Sequence, residues 1–172
     1  MNARTAPEAT PTQERTTMER TSERELVVTR TIDGPPHIVF DAWTKPELLK
    51  RWWVPRSVPI TLLSVEMDVR VGGTYRLVFQ VDSTTTMAFF GRYLEVSPPS
   101  RLVWTNEEEG DAVVTTVTFD EDEGRTRLIV HDLYPSKEAL DRAIASESIP
   151  GWTEMFDQLD ELLFEPDAAS AG

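Results

Sequence analysis

Apolar and polar residues recur along this chain with two different periods. From Pro150 to Phe164 the period is helical: Trp152, Met155, Phe156, Leu159, Leu162 and Leu163 form one stripe, and Glu154, Asp157, Asp160 and Glu161 fall on the other side. About fifteen residues at roughly 1.5 Å each make a rod of about 22 Å, long enough to lie across a sheet. From Ile60 onward the period drops to two. Strands are expected over Ile60–Met67, Thr74–Val81, Thr86–Val96, Arg101–Asn106, Ala112–Asp120 and Thr126–Asp132, with turn residues between them. The β-branched run Glu25–Ile32, closed by Asp33-Gly34-Pro35-Pro36, adds a strand in front.

Between that first strand and the rest, Ile38, Val39, Ala42 and Trp43 repeat at helical spacing behind Pro35-Pro36, where a missing N–H costs least. Pro46 breaks this helix and opens a second that runs toward Trp52-Trp53. Ser136–Ala145 reads as another short helix with Ser136 as its cap. The short links imply antiparallel neighbours. The fold class is therefore α+β: a curved antiparallel sheet of about seven strands wrapped on a long C-terminal helix, with two short helices after the first strand. Residues 1–24, polar and charge-balanced, are expected to be a disordered tail, residues 25–165 the domain, and residues 166–172 a flexible C-terminus.

Several segments together resemble the helix-grip (START-like, or SRPBCC) superfamily, most closely its branch similar to the activator of the heat-shock protein 90 ATPase. They are Phe40-Asp41-Ala42-Trp43-Thr44 with Trp52-Trp53, then Met67–Tyr75, Gly91–Thr105, and Gly151-Trp152 followed by Leu159. The resemblance implies a one-domain protein with a cavity between the sheet and the long helix, holding a small, mostly hydrophobic ligand. It also implies two alternatives: a co-chaperone with a chaperone partner, or a cyclase or hydrolase acting on aromatic polyketide-like substrates.

Composition narrows the chemistry. A net charge of -13 argues against nucleic acid, which demands clustered Lys and Arg. The sequence has neither an apolar run of membrane-spanning length nor a signal-peptide pattern, so a soluble cytoplasmic protein is expected, monomeric or a homodimer through a strand edge. Zero cysteines remove disulfides, thiolate catalysis and thiolate metal sites, and two histidines, His37 and His131, are too few for a histidine-rich one. No cofactor is expected, because Gly72-Gly73 lacks the helix that a phosphate-binding loop needs and reads as a bend. Asp120–Gly124 and Glu107–Asp111 read as solvated acidic hairpins rather than calcium loops.

Strand alternation indicates which side chains reach the interior. Tyr75, Leu77, Phe79 and Val81 share one face, as do Val113, Thr115, Val117 and Phe119, and Leu128, Val130 and Asp132; Phe89-Phe90 is ambiguous. Tyr75, Phe79, Phe89, Trp104 and Val117 from the sheet are thus candidate ligand-binding residues. Trp52, Trp53, Trp152, Met155, Phe156 and Leu159 join them from the helices. The same residues also read as an ordinary aromatic core. Asp132, facing inward, is the candidate polar anchor, with a pKa that burial would raise. For acid–base chemistry the nameable proton carriers are Asp132, Tyr93 and Glu66, a scattered set. Arg76 and Arg92 reach an interior ligand only if the faces are shifted by one residue.

Overall fold

The strand Glu25–Ile32 shows how alternation becomes architecture: Leu26, Val28, Arg30 and Ile32 are buried and the residues between them are not. In the computed structural model, which describes residues 16–107, 112–145 and 152–164, this is the second strand, not the first. The strands are β1 (Thr16–Arg20), β2 (Glu25–Ile32), β3 (Thr61–Met67), β4 (Thr74–Gln80), β5 (Thr86–Ser97), β6 (Arg101–Asn106), β7 (Val113–Asp122) and β8 (Arg125–Leu133). The helices are α1 (Pro36–Thr44), α2 (Pro46–Leu49), α3 (Lys137–Ala145) and α4 (Trp152–Phe164).

All the strands join one antiparallel sheet in the order β1-β2-β8-β7-β6-β5-β4-β3. β3 to β8 form the expected meander, and β2 closes onto β8. The long strand β5 pairs with β4 through Thr86–Arg92 and with β6 through Tyr93–Ser97. Between its two halves lies Gly91, where a Cβ would sit 1.8 Å from the Thr105 carbonyl oxygen, so only glycine lets the two backbones approach there.

The tail expectation is corrected for Thr16–Arg24. Thr16–Arg20 pairs with Arg30–Leu26 of β2, because an unpaired edge on β2 offers main-chain groups that a polar segment can satisfy without an apolar face. Arg20 fastens it further, donating to the Ser22 and Glu23 carbonyls and pairing with Asp141 at 2.8 Å. The sheet therefore has eight strands in place of seven. Residues 1–15, the acidic residues 108–111, Pro150, Gly151 and the expected flexible C-terminus lie outside the described residues.

Helix α1 turns Val39, Phe40, Ala42 and Trp43 inward. The second helix is shorter than its sequence implied: it stops at Leu49 and continues as turns, and the Trp52 indole N–H donates to the Ala42 carbonyl at 3.0 Å, tying the turn back to α1. Ser136 Oγ accepts from the Ala139 N–H at 3.0 Å, capping α3 as expected. On α4, Met155, Phe156, Leu159 and Leu162 are buried. At roughly 1.5–3 kcal/mol per side chain, their burial far exceeds what helix propensity contributes.

The polar side expected for α4 needs correction at Asp160, which is buried together with Gln158. Asp160 Oδ2 accepts from Arg30 Nη2 at 2.7 Å and its Oδ1 accepts from the Asp33 N–H at 3.2 Å. Gln158 bridges to the segment after α2: its Nε2 donates to the Trp52 and Val54 carbonyls, and its Oε1 accepts from the Arg56 N–H. Both residues act as polar fasteners between α4 and its neighbours.

Candidate functional site

Because α1 and α2 are joined by a single turn and the chain then crosses back over the sheet, Trp43, Leu49 and Trp53 are carried to face β3–β6. Between them is a cavity of about 50 Å³, room for a few water molecules. The sheet side of its wall is Met67, Tyr75, Leu77, Phe89, Tyr93, Trp104 and Asn106. Phe89 faces inward and Phe90 outward, 39% exposed, which resolves the ambiguous pair.

The cavity does not lie where the sequence placed it. None of its lining comes from α4, whose apolar residues fill the space against the sheet, Phe156 and Leu159 being fully buried. Of the expected ligand-binding residues, Trp53, Tyr75, Phe89 and Trp104 line it. Trp52, Phe79, Val117, Met155, Phe156 and Leu159 belong to the packed core. Trp152 stands behind the wall, stacked on Trp43 with centroids 6.3 Å apart and edge-on to Trp53 at 6.0 Å. It is also stacked on Phe156 at 5.1 Å, so α4 buttresses the aromatic wall without forming its surface.

Most polar groups of the lining are used internally. Asn106 Oδ1 accepts from Trp104 Nε1 at 3.3 Å and lies 3.1 Å from the Tyr75 hydroxyl, which also reaches the Thr105 carbonyl at 2.7 Å. Asn106 Nδ2 donates to the Val113 carbonyl and, at 2.9 Å, to Thr115 Oγ1. Thr115 in turn donates to Asp132 Oδ1 at 2.6 Å. Asp132 is thus connected to the cavity wall through two residues and does not line it. Burial raises its carboxyl to about 6, opposed by the Thr115 hydrogen bond and the nearby His131.

The other titratable candidates are dispersed. Glu66 is exposed, as are Arg76 and Arg92, the last paired with Glu107 at 2.9 Å. His131 pairs with Glu25 at 2.9 Å and His37 is exposed. Only Tyr93 of the three proton carriers lines the cavity, and burial pushes its hydroxyl pKa upward. Among the described residues no group of three or more His, Asp or Glu is placed to hold a metal, and no helix is long and apolar enough to cross a membrane.

Comparison with known proteins supplies the family. The model of the family described as "Activator of Hsp90 ATPase homolog 1-like protein" matches residues 33–164. The chain belongs to this family. Solved structures agree. A protein from Rhodobacter sphaeroides is 26% identical with a TM-score of 0.80, the match covering 86% of this chain and 97% of that one. One from Chromobacterium violaceum is 28% identical with a TM-score of 0.68, covering 80% and 96%. A third, from Nitrosomonas europaea, shares the fold at 24% identity with a TM-score of 0.77, covering 89% and 100%. No curated protein matches the chain.

Within this Hsp90-ATPase-activator-like domain, sequence reasoning missed Trp43, Leu49, Met67 and Asn106 as lining residues. Trp43 carried a usable signal, its helical spacing with Val39 and Ala42 opposite the paired tryptophans. Asn106 carried none, because its role depends on β6 ending beside Thr115 of β7. Arg30 was legible in principle, since alternation places it on the inward face with Leu26, Val28 and Ile32. It lies before the segment that the family model matches, in β2.

Proposed function

We propose that the protein binds a small, mostly apolar aromatic ligand in the cavity between the α1–α2 segment and strands β3–β6. The observation that carries this reading is the lining itself: Trp43, Trp53, Tyr75, Phe89, Tyr93 and Trp104 surround unfilled space, and no charged residue borders it. Binding is favoured over acid–base catalysis because Asp132, Tyr93 and Glu66 do not converge on one point; a proton carrier must reach the atom it serves. Trp53 and Phe89, both half-buried, form the part of the wall best able to move for an entering ligand. Trp152, Met155, Phe156 and Leu159 serve this site as its support, and Asp132 as the end of its hydrogen-bonded backing.

Native mass spectrometry of the protein as purified, set against its denatured mass, tests for a retained ligand. A two-dimensional NMR titration of the indole N–H signals with single-ring aromatics tests for a competent site. Shifts concentrated in Trp43, Trp53 and Trp104 are the expected result. An unmodified mass together with no indole shift at millimolar concentrations of such compounds overturns the reading.

A further inference from the structure

We propose that Tyr93 and Trp43 make the cavity selective for neutral aromatic ligands that present a hydrogen-bond acceptor, an aryl ketone or aldehyde being the simplest class. The inference rests on the ligand-binding reading above and names what that ligand must carry.

The argument is an account of donors and acceptors. Asn106 uses both amide hydrogens and its carbonyl oxygen on protein partners, Trp104 gives its indole N–H to Asn106, and the Tyr75 hydroxyl is held by Thr105 and Asn106. Two donors in the lining remain. The Trp43 indole Nε1 is buried without a partner, and the Tyr93 hydroxyl has no hydrogen-bond partner among the described residues. Both side chains are almost fully buried, 3% and 4% exposed. Folded proteins rarely leave such donors unmet, and exceptions call for a bound group to complete them. Both rings border the Trp104 indole, with centroids 5.8 Å from Trp43 and 6.5 Å from Tyr93, so the two donors flank one space.

What is missing from that space is an acceptor. Tyr93 stays a donor throughout the physiological range, since burial holds its proton more firmly than in water. An anionic acceptor is disfavoured: the lining offers no cation, and an unpaired charge is costly to bury. A carbonyl on an aromatic ring meets both requirements, because the ring replaces water against the aromatic walls and the oxygen accepts from the buried donors. A benzene-sized ring fills a cavity of about 150 Å³, so entry requires the half-buried Trp53 and Phe89 at the rim to swing aside.

Acetophenone and α-methylstyrene, planar isosteres that differ by C=O against C=CH2, are the probes. Their affinities are measured by NMR titration of wild-type protein and Tyr93→Phe, and the Trp43 indole signal is identified by its loss in Trp43→Phe. The ratio of the two affinities cancels their difference in hydrophobicity. The expected result is that this ratio falls about tenfold toward α-methylstyrene in Tyr93→Phe, the loss of one hydrogen bond. In wild-type protein the Trp43 indole proton is expected to move downfield with acetophenone only, a readout that needs no variant to fold. If both probes bind, with an unchanged ratio and no selective Trp43 shift, the donor assignment is overturned while ligand binding stands. If neither binds the wild-type protein, the ligand-binding reading fails and this inference fails with it.

Discussion

Arg30 Nη2 donates to Asp160 Oδ2 at 2.7 Å across the interface between β2 and α4, with only 1% of the arginine side chain and 9% of the aspartate side chain exposed. The same guanidinium reaches Asp157 at 2.8 Å and, through Nη1, the Thr16 hydroxyl of β1 at 2.7 Å. One buried cation therefore joins the N-terminal edge of the sheet to the helix lying on it. The helix seats the aromatic residues behind the cavity, so the position of Trp152 depends on this contact.

Removing one partner of a buried ion pair leaves the other charge uncompensated, at a cost of about 3–5 kcal/mol. Asp160→Ala is expected to lower unfolding stability by an amount in that range. Asp157→Ala, whose side chain is 32% exposed, is expected to cost about 1 kcal/mol or less, as a pair nearer water. Urea denaturation of the two variants checks the difference. Equal losses would show that the guanidinium is held by the pair without preference and that burial of Asp160 is incidental.

The contrast between Asp160 and Leu159 shows what the sequence made legible. Leu159 follows from periodicity alone, as do the inward faces of β4, β7 and β8, because burying apolar area is a local, repetitive demand that writes itself into spacing. Asp160 sits on the side of the helix that spacing calls polar, and only its distant partner Arg30 makes it an interior residue. The cavity was displaced from its expected place for a similar reason. Which of several apolar surfaces packs tightly and which leaves a gap depends on side-chain shapes meeting across elements, and no single segment records that. Strand β1 escaped notice because edge pairing uses main-chain groups common to every sequence.

Gln158 makes three hydrogen bonds to the segment Trp52–Arg56 from a buried position. Gln158→Ala strands two carbonyls and one N–H, and a buried polar group left unmet costs about 1–3 kcal/mol. The expected result is a loss of about 2 kcal/mol in urea unfolding, with line broadening at the Trp53 indole signal because its backbone is no longer held. A stability loss without any change at Trp53 would confine Gln158 to helix packing.

Tyr93 and Tyr75 sit side by side, ring centroids 5.8 Å apart, yet their hydroxyls differ in kind. The hydroxyl of Tyr75 is satisfied by Thr105 and Asn106, whereas that of Tyr93 is not. Removing an unmet buried hydroxyl should stabilise the unliganded fold and removing a satisfied one should destabilise it, each by about 1 kcal/mol. Thermal or urea unfolding of Tyr93→Phe and Tyr75→Phe is expected to move in opposite directions. Destabilisation by Tyr93→Phe would mean that its hydroxyl is already compensated in the free protein.

Asp132 supplies a pH dependence whose sign follows from its environment. Its carboxyl titrates at about 6 in the fold against 3.8 for the ordinary group, because burial penalises the charged form more than Thr115 and His131 favour it. Between about pH 4 and pH 6 the folded chain holds a proton that the unfolded chain has released, so this residue's contribution to stability falls as pH rises through that window. Asp132→Asn keeps an oxygen for the Thr115 hydroxyl and removes the titration. The variant is expected to exceed wild type in stability at pH 7 by about 1–2 kcal/mol, the shift being discounted for the residue's partial exposure. The advantage should shrink to nothing as pH drops below about 4, where the wild-type carboxyl is neutral in both states. Urea unfolding at a series of pH values measures it. A variant less stable than wild type at pH 7 and equal to it at pH 4 would reverse the sign: the carboxylate would then be a stabilising partner of the Thr115–Asn106 chain, and the polar backing of the cavity would depend on its charge.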